Sequence, residues 1–350
     1  MKRPLSSKSP PGAPMRHFPL RPHHLLERVT PVKDLFILSP LGAPEIDLET
    51  WRLTIDGMVE RPLTLTFDDI LRMPKRVVEA FHQCAGNPRQ WNKPTRRITN
   101  LVWGGVALAD VLARVNIDPK ARFLWSYGMD HGLYQDTAID NYIKDLLVHE
   151  ISACGALLVY EVNGEFLPPE NGFPLRLVVP GYYATNSVKW LCRLHFAEER
   201  SKGYFTTVLY NDPTPPTADE PNGGIRPVWE IATESVIVSP AQKARVAPGM
   251  VDVWGWAWAR DGVESVKVST DSGGTWQSAD LEPQRGQSWQ KFHLAWTCDR
   301  EDGQTVLMSC ATDRYGNSQP ATGARNAIYS VPVFFGDRVP DSFPQNENEI

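Results

Sequence analysis

The chain has 350 residues, 42% of them hydrophobic, so we expect one large domain and a second domain of about 100 residues. Its 36 basic and 41 acidic side chains give a net charge of -5, without the basic excess that nucleic-acid binding requires, so nucleic acid is not expected as a partner. No apolar run is long enough to span a bilayer and no signal core is visible, so we expect no membrane partner and a cytoplasmic location as written, or a periplasmic one if an export signal has been removed.

The first part of the chain is predicted to form an irregular arm followed by an α+β domain. Residues 1–33 carry repeated prolines, which interrupt regular elements. From residue 34 to residue 225, short strand-like runs alternate with short helix-like stretches, which is typical of an α+β domain rather than of a regular βαβ series. The strand-like runs are 51–55, 77–81, 123–127, 157–162 and 175–179, and the helix-like stretches are 67–72, 108–114 and 139–147.

A proline- and glycine-rich segment, residues 211–227, has the composition of a linker and marks the predicted domain boundary. Residues 226–337 contain about seven strand-like runs bounded by turn residues, which is the pattern of a β-sandwich. Trp254, Trp256 and Trp258 alternate along one run and share one face, which we interpret as core or interface packing rather than ligand binding. Residues 338–350 are assigned to a C-terminal tail.

The five cysteines form an odd and widely scattered set without a C-x-x-C pair: Cys84, Cys154, Cys192, Cys298 and Cys310. This pattern argues against a disulfide framework and against a structural zinc site. The sequence also lacks a C-x-x-C-H haem motif, a G-x-x-x-x-G-K-S/T phosphate loop and an H-E-x-x-H motif. Several common cofactor classes are therefore unsupported, and a cysteine with a separate function remains open.

Cys84 lies in a polar segment, HQCAGNPR at residues 82–89, which follows a β-rich run and has the composition of a loop. Most isolated cysteines are small buried hydrophobic residues, so residue type alone favours a structural role. Two features favour a function, because the neighbours are polar and Arg89 could stabilise a thiolate, the form that binds metals. One thiolate cannot build a closed zinc site, so Cys84 suits a metal that arrives with its own ligands.

Further segments accompany the cysteine along the chain. Residues 157–193 read LLVYEVNGEFLPPENGFPLRLVVPGYYATNSVKWLCR, preceded by Trp-Gly-Gly at 103–105 and followed by the segments GWAW and TDSGGTW. Together with Cys-Ala-Gly-Asn at 84–87, these segments resemble the sulfite oxidase family, whose motif cysteine binds molybdenum beside the dithiolene sulfurs of molybdopterin. The resemblance keeps the family's order over residues from about 35 to about 335.

The resemblance implies a fold, a cofactor and a homodimer. Residues 34–225 would form a sulfite-oxidase-like molybdopterin-binding catalytic domain, and residues 226–337 an immunoglobulin-like β-sandwich that mediates dimerisation. The cofactor would be molybdenum bound to molybdopterin, with Cys84 as the metal ligand. The residues that match cofactor-binding positions are Cys84, Asn171, Arg176, Ser187 and Lys189.

The resemblance also implies catalytic roles. Arg89 matches an arginine that faces the anionic substrate, and Tyr210 matches an active-site tyrosine that hydrogen-bonds a metal oxo or hydroxo group. A buried tyrosine before the linker is an equally supported alternative for Tyr210. Arg325 is the candidate for a third substrate arginine, contributed by the sandwich. For Arg176 and Lys189 taken singly the alternative is a solvated surface charge, and their place in GFPLR and SVKW favours cofactor contact.

The chain departs from the family pattern in three places. Leu-Ser-Pro at residues 38–40 stands where sulfite oxidases carry Arg-Asn-His, so the anion pocket is predicted to be less positive. Asn171 replaces a histidine before Gly-Phe-Pro, and it donates a hydrogen bond without carrying charge. The loop after Cys84 is shorter than in the family and lacks the stretch that places another active-site tryptophan. Trp91 is a possible replacement, but we do not assign it that role.

The predicted activity is transfer of an oxygen atom to or from a small oxyanion or sulfur compound, with sulfite oxidation to sulfate as the first choice. Electrons would pass to an external carrier such as a cytochrome, because the chain has no haem motif or cluster-type cysteine array. One alternative is a related molybdenum enzyme that reduces an S-oxide or nitrate, which the Leu-Ser-Pro departure favours. Another is a non-catalytic scaffold, against which the presence of Cys84, Arg176 and Lys189 argues.

Overall fold

Two larger sheets form most of the N-terminal half of the chain in the computed structural model, which describes residues 14–17, 21–87, 90, 93–94, 97–217 and 221–336. The first sheet joins, in spatial order, Ile143–Leu147, Phe123–Gly128, Leu191–Ala197, Leu53–Gly57 and Leu63–Leu65. Only the pairing of Leu191–Ala197 with Leu53–Gly57 is parallel among these described strands. Alternate side chains such as Leu53, Ile55 and Phe196 are fully buried in the apolar core.

The second sheet carries the cysteine segment. It joins Glu165–Phe166, Leu157–Val162, Ile98–Ala107 and Lys75–Gln83, and Arg176–Val178 also pairs with Leu157–Val162. Leu157–Val162 is buried along its whole length, which accounts for its mostly apolar sequence. A side chain at Gly105 would place its Cβ 2.1 Å from Leu158 O, so the close pairing of these two strands requires glycine.

The helices are short connections between strands. The α-helices are Phe67–Leu71, Leu108–Leu112, Val148–Ala153 and Tyr204–Thr207, and the 3-10 helices are Pro22–His24, Val32–Asp34, Pro169–Asn171 and Ala184–Asn186. Thr66 begins the first α-helix with a capping box, because its hydroxyl accepts from Asp69 N–H at 3.1 Å and the Asp69 carboxylate accepts from Thr66 N–H at 3.0 Å. In the described part of the chain, no helix has the length and apolar character needed to cross a membrane.

The helix predicted over residues 139–147 is wrong. The structure has the strand Thr137–Ile139, which pairs with Gly132–Tyr134, and the strand Ile143–Leu147 at the edge of the first sheet. Apolar residues at 139, 143, 146 and 147 fit the spacing of a helix, but a short apolar run is equally compatible with a strand, and pairing with Phe123–Gly128 decides the outcome.

Two segments predicted to lack regular structure contain strands. Within the proposed arm, Met15–His17 pairs with Ile37–Ser39, and Leu25 is buried against the sandwich. At the proposed boundary, Asn211–Thr214 pairs with Gly224–Pro227. Eight of the seventeen residues of the proposed linker therefore lie in an antiparallel pair of strands.

The C-terminal half is a β-sandwich. One sheet orders Glu234–Ser239, Gly249–Trp258, Gln290–Cys298 and Asp280–Leu281, and the other orders Arg245–Val246, Ser330–Phe335, Gly303–Asp313, Val263–Ser269 and Gln277–Ser278. Their facing side chains form a separate apolar core that includes the fully buried Val253, Phe292, Leu307 and Val333. The predicted order of an α+β domain followed by an immunoglobulin-like sandwich is confirmed.

A further apolar cluster joins the two halves. Trp256, Trp258 and Trp289 of the sandwich are buried and pack with Phe81 of the second sheet. The Trp256 and Trp289 rings stack with their centroids 4.7 Å apart. Trp254 is only partly buried and packs against the same cluster. The interpretation of the alternating tryptophans as packing residues is therefore confirmed, and they pack between the domains.

Candidate active site

Cys84 stands where the strand Lys75–Gln83 leaves the second sheet. Its backbone N–H donates to Arg97 O at 2.9 Å, and Asn87 N–H closes a turn onto Cys84 O at 3.1 Å. The residue is 6% exposed, and it belongs to none of the apolar clusters formed by the described residues. It lines a cavity of about 80 Å³ instead.

The cavity combines an apolar wall with converging polar groups. Its apolar side is formed by Leu35, Phe36, Leu38, Pro40, Leu101 and Trp103. Six of the eight residues that the sequence predicted for the site line it: Cys84, Asn171, Arg176, Ser187, Lys189 and Tyr210. A concave, largely apolar surface with a few polar groups is the usual form of a small-molecule site.

Arg176 is held in place by neighbours on two turns. It begins the strand Arg176–Val178 and is 4% exposed. Nη1 donates to Asn171 O and Nη2 donates to Ser187 O, both at 3.1 Å, while the buried Nε has no hydrogen-bond partner. Burial lowers the pKa of Arg176 to about 9, which leaves the guanidinium charged at neutral pH. An anionic group beside it would offset the cost of the unpaired donor.

His82 and Trp103 complete the surroundings of Arg176, and neither was predicted from the sequence as a site residue. His82 Nε2 lies 3.2 Å from Arg176 Nη2, and the guanidinium carbon lies 5.2 Å from the centroid of the Trp103 ring. Burial, with the charges of Arg176 and Lys189, holds the pKa of His82 well below its usual range. The imidazole is therefore neutral and accepts from Arg176. The available signal was the spacing of two residues between His82 and Cys84.

Lys189 and Asp130 bring a buried amine and a buried carboxyl group to the cavity. The Lys189 ammonium donates to Ser39 Oγ and to Glu170 O, the latter at 3.1 Å. Burial lowers the pKa of Lys189 and raises the pKa of Asp130, and the attraction between the two groups opposes both shifts. Asp130 is 5% exposed and was not predicted, because nothing in its local sequence marks it. The cavity thus offers a carboxylate acceptor beside its cationic donors.

Two tyrosines face the cavity and hydrogen-bond the same threonine side chain. Tyr142 and Tyr210 both line it, and the Tyr142 hydroxyl lies 2.8 Å from Thr185 Oγ1, which also hydrogen-bonds Tyr210. The Lys144 Nζ lies 5.4 Å from the centroid of the Tyr210 ring and donates to Phe205 O at 3.0 Å. Burial raises the pKa of both tyrosines, so both stay protonated. The Tyr142 hydroxyl donates to Thr185 O at 2.9 Å, which leaves Tyr210 as the candidate donor to an oxygen atom in the cavity.

Of the other two predicted residues, only Arg325 belongs to the described part of the chain, and it does not line this cavity. Arg89, like Trp91, lies outside the described residues. Arg325 lines a neighbouring groove between the domains, where it pairs with Asp212, donates to Ala85 O at 2.6 Å and lies over the Tyr183 ring. The proposed contacts of Arg89 and Arg325 with substrate stay predictions.

Cys84 is the one thiol among the described residues that line the cavity. Among the described residues, no group of three or more His, Cys, Asp or Glu side chains is arranged to hold a metal ion. A metal bound to Cys84 would therefore take other ligands from an organic group. Arg176, Lys189 and Asp130 provide the donors and the acceptor that a phosphate-bearing heterocycle needs.

Comparisons with known proteins match both halves of the chain. Residues 40–205 match the family model of the oxidoreductase molybdopterin binding domain, and residues 226–334 match that of the Mo-co oxidoreductase dimerisation domain. The crystal structure of the sulfane dehydrogenase SoxCD from Paracoccus pantotrophus is similar with a TM-score of 0.77 at 28% identity, over 94% of this chain and 86% of that chain. The fold and the matched domains define a molybdopterin-dependent oxidoreductase.

Sequence relatives narrow this class. Mitochondrial sulfite oxidase of Rattus norvegicus is 32% identical over 360 residues, covering 93% of this chain, and the chain spans 66% of the rat protein, just under two thirds of its length. Sulfite oxidase of Arabidopsis thaliana is 32% identical over 329 residues, covering 83% of this chain and 82% of the plant protein. The chain belongs to the sulfite oxidase family, which confirms the resemblance of its motifs.

Proposed function

We propose that this chain oxidises sulfite to sulfate with a molybdenum-molybdopterin cofactor and passes the electrons to an external acceptor. The observation that carries the proposal is the meeting of Cys84, Arg176 and Lys189 in one cavity. Three separate segments of the chain contribute these groups. Membership of the family supports the class of reaction, and the sulfite oxidases among the relatives support the substrate.

The described residues fit a molybdopterin group. Arg176 and Lys189 would bind its phosphate, and the buried Arg176 Nε without a partner is the feature that most favours an anion there. Asn171 and Ser187 lie on the turns that hold Arg176, and their side chains are near enough to the cavity to contribute hydrogen bonds. Asp130 would accept hydrogen bonds from ring N–H groups of the heterocycle.

In the reaction, the protein would hold the cofactor, orient the substrate and exclude water from the site. When bound, molybdenum would supply two-electron redox chemistry coupled to exchange of one oxygen atom. Cys84 would bind the metal as its thiolate, and Tyr210 would donate a hydrogen bond to a substrate oxygen. Arg89 would hold the anion, with Arg325 as the further candidate. One sulfite and one water would give one sulfate, two protons and two electrons.

Those two electrons require an acceptor outside this chain, and we propose a cytochrome. We also propose that residues 226–337 form a homodimer contact, which the match to the dimerisation domain supports. The cytoplasm is the compartment in this proposal, with the periplasm as the alternative. Cross-linking with gel filtration tests the dimer, and cell fractionation tests the compartment.

A second candidate function is that of a related molybdenum enzyme that reduces an S-oxide or nitrate. The observation in its favour is that Leu38, Ser39 and Pro40 all line the cavity and add no positive charge. Ser39 also accepts from Lys189, which engages part of that ammonium's hydrogen-bonding capacity. A sulfane dehydrogenase with a similar fold is consistent with variation of substrate on this scaffold.

Metal analysis and steady-state assays separate these candidates. Protein from a host that makes molybdopterin is expected to contain about one molybdenum per chain and to turn over sulfite with a cytochrome. Turnover with nitrate or a sulfoxide and a reduced dye, without sulfite activity, would favour the second candidate. Folded protein that takes up no molybdenum would contradict both and leave the non-catalytic scaffold.

A further inference from the structure

The side-chain amide of Gln83 connects the sandwich to the turn that carries Cys84. Gln83 ends the strand Lys75–Gln83 and is 0% exposed. The Trp258 indole N–H donates to Gln83 Oε1 at 2.9 Å, and Gln83 Nε2 donates to Asn87 O at 2.9 Å and to the Glu234 carboxylate at 2.5 Å. One buried side chain thus contacts two residues of the sandwich and the far end of the cysteine turn.

The chemistry of these partners fixes the orientation of the Gln83 amide. An indole N–H only donates, whereas a backbone carbonyl and a carboxylate only accept. Gln83 must therefore present its oxygen to Trp258 and its NH₂ group to Asn87 and Glu234. A glutamate of the same shape would place a second carboxylate oxygen against both acceptors, so this position requires the amide.

The sandwich holds the same turn at a second point. Ala85 O accepts from Arg325 Nη1 at 2.6 Å, and Cys84 O accepts from Asn87 N–H at 3.1 Å within the turn. With the bond from Gln83 to Asn87 O, three of the four carbonyls of residues 84–87 have partners. Displacement of Cys84 would break hydrogen bonds that reach across the domain boundary.

We propose that Gln83 is a positioning residue through which the C-terminal sandwich sets the conformation of the Cys84 turn. Gln83, Trp258 and Glu234 are not among the residues that line the cavity, so they act on it through the turn. The inference rests on the proposed role of Cys84 as the metal ligand. It assigns the sandwich a task at the active site in addition to dimer contact.

The test compares Gln83→Glu and Trp258→Phe with the matched control Trp289→Phe. Trp289 is also a fully buried tryptophan of the sandwich, and its Nε1 donates to Arg28 O at 2.9 Å. The control therefore loses an equivalent bond between the domains away from the cysteine turn. The melting temperature of each variant shows whether it folds. If Gln83→Glu does not fold, the comparison of Trp258→Phe with Trp289→Phe tests the proposal.

The first readout does not depend on the metal. The full chain, made in a host without molybdopterin synthesis, is treated with iodoacetamide, and the modification of Cys84 is followed by mass spectrometry of its peptide. We expect Cys84 to react about fivefold faster in both test variants, the factor that corresponds to loss of one hydrogen bond of about 1 kcal/mol, and at the wild-type rate in Trp289→Phe.

The second readout is the electron paramagnetic resonance spectrum of the one-electron-reduced metal in the loaded enzyme, together with molybdenum content. Both are expected to change in Gln83→Glu and Trp258→Phe, but not in Trp289→Phe. Unchanged alkylation in the test variants, or an equal rise in all three, would overturn the positioning role. Faster alkylation with an unaltered spectrum and metal content would retain that role and contradict Cys84 as the ligand.

Discussion

Desolvation and hydrogen bonding oppose each other at the charged residues of the cavity. A guanidinium removed from water is stable only when acceptors surround it, and Arg176 has two carbonyl oxygens and the neutral His82 imidazole. Lys189 is held in the same manner by Ser39 and Glu170. The protein thus places two basic groups at one site although burial disfavours the charged form of both, which is the arrangement expected for binding an anion.

Replacing Arg176 tests this arrangement. In Arg176→Met, cofactor retention is expected to fall about tenfold or more, because a charge-assisted hydrogen bond contributes about 1.5 to 3 kcal/mol. The measurement is molybdenum and pterin per chain after purification. Arg314→Met is the control, because Arg314 is exposed on the sandwich. Full cofactor content in Arg176→Met would contradict the assignment.

Removal of the thiol has a separate expected outcome. Cys84→Ser is expected to stay folded and to lose turnover by about a hundredfold or more, because a neutral hydroxyl does not replace a thiolate ligand. Cys298→Ser is the matched control, since Cys298 is buried in the sandwich core. Turnover and circular dichroism of both variants provide the comparison, and unchanged turnover in Cys84→Ser would refute the metal assignment.

Lys144 gives a prediction for the pH dependence of stability. Burial lowers its pKa to about 8 from an ordinary 10.5. Between these values the unfolded chain binds a proton that the folded chain has released, so this residue makes the free energy of unfolding rise with pH, by an amount on the order of 1 to 3 kcal/mol. Urea unfolding at several pH values in this window should show a smaller rise in Lys144→Met than in wild type. Equal slopes would contradict the shift.

At the scale of strands and turns, the local sequence pattern predicted correctly those features that depend on neighbouring residues in the chain. The Cys84 loop follows its strand, and six predicted residues share one cavity, because their motifs lie at the ends of strands and in adjoining turns. Residues 139–147 were assigned wrongly, since pairing with a distant strand decides their structure. Asp130 and Tyr142 escaped prediction for a related reason, because only the fold brings them beside Lys189 and Tyr210.

The pairing of strands at Gly105 predicts a large effect of a small substitution. Gly105→Ala would place a methyl group 2.1 Å from Leu158 O, so Ile98–Ala107 and Leu157–Val162 would have to separate. We expect a loss of about 1 to 3 kcal/mol in the free energy of unfolding. Chemical denaturation measures this loss, and a stability within error of wild type would show that the strands adjust freely.

At the scale of the whole molecule, an apolar cluster joins the two halves, each of which also has its own core. Trp256, Trp258 and Trp289 are buried against Phe81, so separation of the domains would expose large aromatic surfaces. The sequence suggested packing for two of these tryptophans, but alternation along one strand does not specify the surface opposite. For the same reason the position of Arg325 beside Ala85 was not foreseen.

This cluster between the domains predicts that the domains unfold together. Calorimetry, far-ultraviolet circular dichroism and tryptophan fluorescence should report one coincident transition, because neither half retains its buried surface alone. Two resolved transitions, with the sandwich core persisting after the N-terminal half has unfolded, would contradict this coupling.

The contacts of Gln83 restrict how evolution or an engineer could recombine these halves. A chimera that takes its second half from a relative would inherit an intact sandwich, yet it would leave the amide unsatisfied unless the graft supplied an indole donor and an acceptor at the positions of Trp258 and Glu234. In such a hybrid both domains would fold, but the Cys84 thiol would be displaced from its position. Compatibility between halves is therefore decided by a few atoms at the junction rather than by overall likeness of fold.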